Sequence, residues 1–145
     1  MRELILAFFG SLCPAILFNV KKERFFWVGL SGAIGWAAFT GLGVITGQVV
    51  LPTFVGALFV GLYSETMARI IKTPALVFSV SGIFPLVPGL GAYQTVRFMV
   101  DGKLPDAASK GIETVASAGA IALGIMFMSA LFKVVKRLKN PGLPH

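Results

Sequence analysis

Within the apolar stretch from Ala75 to Val96 stands the run Phe84-Pro85-Leu86-Val87-Pro88-Gly89-Leu90-Gly91-Ala92-Tyr93. Its residue types interrupt a helix rather than attack a bond. Pro85 and Pro88 each remove a backbone donor and crowd the preceding turn, and Gly89 and Gly91 loosen the chain further. A bilayer-crossing helix broken near its middle leaves amides and carbonyls that lipid cannot satisfy, so they must face protein or a water-filled cavity. Breaks of this kind hold polar solutes in many membrane transporters. A helix restarting beyond Gly89 would aim its amides and its positive dipole end into the gap, which suits a carboxylate or another anion. Ser79 and Ser81 before the break, and Tyr93 and Gln94 after it, add side-chain hydrogen-bonding groups. Arg97, one turn past Tyr93, could line an outer exit for an anion. One proline alone would favour a packed kink; two prolines three apart, then two glycines, favour a discontinuous helix. The expected solute-contacting set is Ser81, Pro85, Pro88, Gly89, Gly91, Tyr93 and Arg97.

Glu65 and Arg69 are four apart and share one helix face near the end of another apolar run. They either form an interfacial ion pair of small energetic weight, or Glu65 is a proton-coupling or substrate-ammonium group, since acidic residues inside spans are rare and frequently functional. Asp101, Lys103, Asp106, Lys110 and Glu113 read as solvated loop charges. One cysteine, Cys13, and one histidine, His145, allow no internal disulfide, metal cluster or nucleophilic triad. No His-Glu-x-x-His, phosphate-binding loop or Gly-x-Ser-x-Gly occurs. No catalytic residue, metal or cofactor is therefore expected, and an enzyme is disfavoured.

The elements that must position these residues are membrane spans. The 145 residues are 56% hydrophobic and 13% charged, with a mean hydropathy of +0.85; soluble domains carry roughly 25% charged residues. The expected fold is an all-α integral membrane protein forming a single domain over 1–145. Five spans are predicted, over 4–20, 25–46, 49–67, 75–98 and 114–132, the fourth broken at Pro-Leu-Val-Pro-Gly. Pro14 lies inside the first span, Phe25-Phe26-Trp27 forms an interfacial belt, Gly47-Gln48 turns the chain, and Pro105 could open a helix after the Asp101-Gly102 turn. Small residues four apart, Ser31, Gly35, Gly43 and Gly47 in the second span and Ala116, Ala120 and Gly124 in the fifth, suggest close helix packing.

The net charge of +7 is a topology signal rather than a nucleic-acid patch, because the cations cluster at span ends. Nine basic residues (Lys21, Lys22, Arg24, Arg69, Lys72, Lys133, Lys136, Arg137 and Lys139) fall on one side, and Arg2, Arg97, Lys103 and Lys110 on the other. The richer side should be cytoplasmic. This places the N-terminus outside and the C-terminus inside a cell (inner or plasma) membrane, with the lipid bilayer as first partner.

The stretch Arg69-Ile70-Ile71-Lys72-Thr73-Pro74-Ala75-Leu76-Val77-Phe78, followed by Ile83-Phe84-Pro85-Leu86-Val87-Pro88-Gly89 and Tyr93, resembles the C-terminal half of threonine/serine exporters. More closely, the chain resembles the small, separately encoded YjjB-like subunit of split versions. Phe18-Asn19-Val20 and Gly32-Ala33-Ile34-Gly35 fit the same pattern. The resemblance implies a two-component, proton-driven exporter of threonine and serine, or of dicarboxylates such as succinate. It also implies a larger membrane subunit equivalent to the family's N-terminal half. The stretch from Trp36 to Phe39 is wholly apolar, and no ligand is expected from it. Five helices make a thin bundle, so a partner, self or non-self, is expected. A non-transporting accessory or assembly subunit and a homo-oligomeric solute channel remain as alternatives. On the charge argument, an enzyme reporter fused after His145 is expected to be active only in the cytoplasm; activity only outside the cell reverses the topology.

Overall fold

The computed structural model describes residues 2–139; His145 lies outside the described residues. Six α-helices follow one another: α1 Arg2–Leu17, α2 Phe25–Thr46, α3 Val50–Ile70, α4 Ala75–Ile83, α5 Gly89–Val100 and α6 Leu104–Lys139. Three of these segments are long and apolar enough to cross a membrane. The bent pair α4–α5, with 44° between its limbs, makes a fourth. The chain is thus an all-helical, multi-pass membrane protein. α1, with 16 residues, reaches only about 24 Å, short of the roughly 30 Å hydrocarbon core.

Local chemistry sets the helix ends. Gly47 closes α2 in the left-handed region (φ 61°), its N–H donating to Gly43 O at 3.0 Å, a C-terminal cap that a residue without Cβ adopts at no steric cost. Pro52 sits in the first turn of α3, where the absent N–H has no intrahelical acceptor to miss. Asn19 (φ 51°) turns the chain after α1, with Val20 N–H donating back to Ala15 O.

The last helix differs from its expected bounds. The segment 114–132 is the centre of a 36-residue helix, because the chain needs only Asp101–Lys103 to turn. Gly102 adopts φ 72° and Lys103 N–H donates to Phe98 O at 2.9 Å, so Leu104 and Pro105 open α6 at once. α6 is about 54 Å long, more than the bilayer core. Its uncharged part, Thr114 to Phe132, covers ~28 Å and matches that core. The turns before Thr114 and after Phe132 therefore project into the interfaces.

α3 packs on α2, α4 and α6, α1 closes on α2 and α4, and α5 leans on α6. One apolar cluster (Ala15, Val28, Met67 and Phe78) fills the basic end. A second, of Ala57, Val60, Leu86 and Ile121, lies further along the bundle. The small-residue stripes are only partly seams. Ser31 and Gly35 are buried in α2, as are Ala120 and Gly124 in α6, whereas Gly43 has nothing within 4 Å of its Cβ position and Ala116 is exposed. α2 and α3 cross so closely that a Cβ on Gly56 would stand 2.9 Å from Gly35 O and 3.3 Å from Leu86. Gly56→Val is therefore expected to destabilise the protein by about 1–3 kcal/mol. Gly119→Val, where nothing lies within 4 Å, should change little; thermal aggregation in detergent compares the two.

Candidate functional site

Pro85 and Pro88 do interrupt the helix. α4 gives way to a 3₁₀ turn, Phe84–Leu86, and α5 restarts at Gly89. Phe84 N–H donates to Ser81 O, Val87 N–H to Phe84 O at 3.3 Å, Gly89 N–H to Val87 O at 2.8 Å and Ala92 N–H to Pro88 O at 3.1 Å. The remaining first-turn amides of α5 lack intrahelical acceptors by geometry. From Ala75, nine α-helical and three 3₁₀ residues rise ~20 Å from the basic end. The break begins ~14 Å up, after the nine α-helical residues, and so spans the middle of a roughly 30 Å core.

Beside the break is a cavity of ≈ 330 Å³. Pro85, Leu86, Val87, Pro88, Leu90 and Gly91 form one wall, and α2, α3 and α6 the rest. Gly91 eases the closure: a Cβ there would meet Thr114 Oγ1 at 2.6 Å, so a side chain at this position would force Thr114 to shift. Of the residues expected from sequence, Pro85, Pro88 and Gly91 line the cavity. Gly89 opens α5 beside it. Ser81 lies fully buried, its hydroxyl without a partner, outside the lining. Tyr93 is exposed on the outer face of α5. Arg97 points to solvent, 3.8 Å from Asp101.

Residues read from sequence as inert complete the lining. Trp36 and Phe39, from the stretch expected to supply no ligand, both border the cavity, and Trp36 Nε1 is buried without an acceptor. Lys110 and Glu113, read as loop charges, stand on α6 because that helix begins early. They form a 2.9 Å ion pair, about one-third exposed, on the cavity wall. Gln94, Thr53, Thr114 and Ser117 add polar groups.

Donor accounting separates these groups. Thr53 donates to Val49 O at 2.7 Å, Thr114 to Lys110 O at 2.7 Å and Ser117 to Glu113 O at 2.9 Å. These hydroxyls satisfy their own helices and offer only lone pairs. Trp36 N–H, the Gln94 amide, the remaining Lys110 protons and the start of α5 can still donate.

A second polar level lies toward the basic end. Glu65 accepts a 3.0 Å hydrogen bond from Ser129 Oγ on α6. Arg69 places its guanidinium 4.7 Å from the Phe132 ring centre and within 3.4 Å of Phe132 O. Glu65 and Arg69 share a face as their spacing requires, but no ion pair within 4 Å joins them; the two ion pairs among the described residues lie elsewhere. Each side chain finds a partner on α6 instead. The twelve-residue steps Thr53 to Glu65 on α3 and Ser117 to Ser129 on α6 both amount to ~18 Å. The two levels thus face one another across Ala57, Val60, Ile121 and Ile125.

The site is thus an interrupted membrane helix beside a largely apolar cavity with a few polar groups on its wall, in an all-helical bundle. The sequence profile described as "Threonine/Serine exporter, ThrE" matches residues 3–131, and the chain belongs to that family. A protein of Mycobacterium tuberculosis (strain ATCC 25618 / H37Rv) named "Probable threonine/serine exporter" is 29% identical over 118 residues. The match covers 81% of this chain and 22% of that relative's length. No solved structure matches the chain.

With Cys13 replaced by Ser, Gln94→Cys is expected to react with a membrane-impermeant maleimide added on the side opposite Lys21–Arg24. Ala57→Cys, buried among Val60, Leu86 and Ile121, should stay at least about tenfold slower. Equal rates at the two positions would show that the cavity does not open to that side.

Proposed function

We propose that this chain is the membrane subunit of a two-component secondary exporter of small carboxylate-bearing metabolites, with the solute held in the cavity beside the break and protons driving export. One observation carries the proposal: the interrupted helix of an exporter-family member borders a cavity whose Trp36, Gln94, Lys110 and α5 donors are free for a carboxylate. Threonine and serine are the first candidate solutes, because the relative's name gives them; dicarboxylates such as succinate are the second. The chain spans about a fifth of that relative. A larger membrane subunit would supply the remainder of the pathway, and the proposed partner is such a subunit.

The charge bias supports a cytoplasmic basic end, and the cavity then lies nearer the outer surface. Leu86, Val60, Ala57 and Ile121 separate it from the Glu65 level. In this reading a rocking of α4–α5 about the break moves Leu86 out of its seat against Gly35 and Gly56, opening the path inward. Glu65 takes up or releases a proton at the cytoplasmic level, with Ser129 holding the carboxylate in place.

Counterflow of labelled serine and of labelled succinate in proteoliposomes tests the proposal. Flux is expected only when this chain and the larger subunit are together. Flux from the partner alone would leave an accessory role, and proton-independent flux from this chain alone a channel. Glu65→Gln should abolish proton-driven flux; undiminished flux would leave Glu65 a structural role.

A further inference from the structure

The cavity presents one cation and one anion side by side, and this arrangement can choose among carboxylate-bearing solutes. Lys110 and Glu113 stand one turn apart on α6, Nζ to Oε2 at 2.9 Å, each side chain about one-third exposed and each on the cavity wall. The other charged groups nearby, Arg97, Asp101, Lys103 and Asp106, are exposed and outside the lining. We infer that Lys110 and Glu113 are the specificity-determining residues of the cavity, exchanging their mutual ion pair for the two ends of a zwitterionic α-amino acid. The inference rests on the reading that this cavity holds the exported solute.

An α-amino acid carries its carboxylate and its ammonium on one carbon, as close together as the two side-chain charges. The carboxylate takes Lys110, with Trp36 Nε1, already buried and without an acceptor, as a second donor. The ammonium takes Glu113. Every charge that loses a partner gains one, so the ion pair opens with no group left bare. A hydroxy acid lacking the ammonium diverts Lys110 and leaves Glu113 half-buried and unpaired. A dicarboxylate sets its second carboxylate against Glu113. An amine lacking the carboxylate strands Lys110. A site that loses its own hydrogen bonds to an incomplete ligand rejects that ligand far more strongly than one that lacks an apolar contact. Thr114 and Ser117, whose hydroxyls are bonded to the carbonyls of Lys110 and Glu113, line the same cavity.

The experiment measures chain-dependent uptake of labelled L-serine, and in parallel of labelled succinate, into everted membrane vesicles of the native host, against a deletion strain. Competitors are L-threonine, glycerate (no ammonium), ethanolamine (no carboxylate) and succinate. Threonine is expected to compete at least about tenfold better than the other three. Glu113→Gln should erase the preference over glycerate, and Lys110→Gln the preference over ethanolamine, each by a similar factor. The exchanged variant Lys110→Glu with Glu113→Lys keeps an i,i+3 ion pair on the helix. A merely structural pair predicts wild-type competition from it, and solute recognition predicts lost serine transport with the protein still present in the membrane. Unmoved preferences in all three variants, or chain-dependent flux that favours succinate, would overturn the inference while leaving the exporter reading in place. Absence of chain-dependent flux for serine and succinate alike would overturn both.

Discussion

A peptide group in hydrocarbon must find a hydrogen-bond partner, and each one left bare costs several kcal/mol. Pro85 and Pro88 withdraw two donors from a helix that lies inside the bilayer. The chain recovers part of the loss locally, through a 3₁₀ turn and the short Gly89-to-Val87 bond. The rest determines the architecture around it. α5 leaves the line of α4 by 44° and finds support along α6, and the cavity lies between the break with the start of α5 and the facing α2, α3 and α6. The bend and the wall that the break gives the cavity both follow from one interruption.

Close packing makes that interruption affordable. Gly35 and Gly56 bring α2 and α3 together so that Leu86, at the end of the 3₁₀ turn, seats against both. Lipid offers no hydrophobic drive for helices to associate, so such backbone contacts carry the assembly. The seat of Leu86 sits at the floor of the cavity, and Ala57, Val60 and Ile121 continue the apolar barrier below it. Further toward the basic end, Ser129 on α6 donates to Glu65 on α3. The polar groups of the cavity wall and the Glu65–Ser129 pair are thus separated by an apolar cluster.

Helix length decides which charges matter. α6 exceeds the bilayer core by several turns, so Lys110 and Glu113 remain on a regular helix where the interface begins. Held there, both side chains reach the space under α5. Arg97 has the type expected of an anion-binding residue, yet α5 presents it to solvent beside Asp101. Tyr93 shares that outward direction. α5 has no buried residue at all; it contributes its first turn and Gln94 to the cavity wall.

The broken helix, the apolar spans and the turns at Gly47 and Gly102 were legible in the sequence. They follow from local chemistry: proline has no donor, glycine accepts positive φ, and a long apolar run dissolves in lipid. The loop charges were not legible, because three residues at Asp101–Lys103 are enough to turn the chain, and nothing local fixes where the next helix starts. Trp36 was missed because an indole in an apolar run reads as filler until a neighbouring void exposes the lack of an acceptor. Glu65 and Arg69 were correctly placed on one face, but their partners belong to α6, sixty residues away. Backbone rules act between neighbours in the chain and can be read from it. The partner of a side chain depends on which helix packs opposite, and only the assembled bundle decides that.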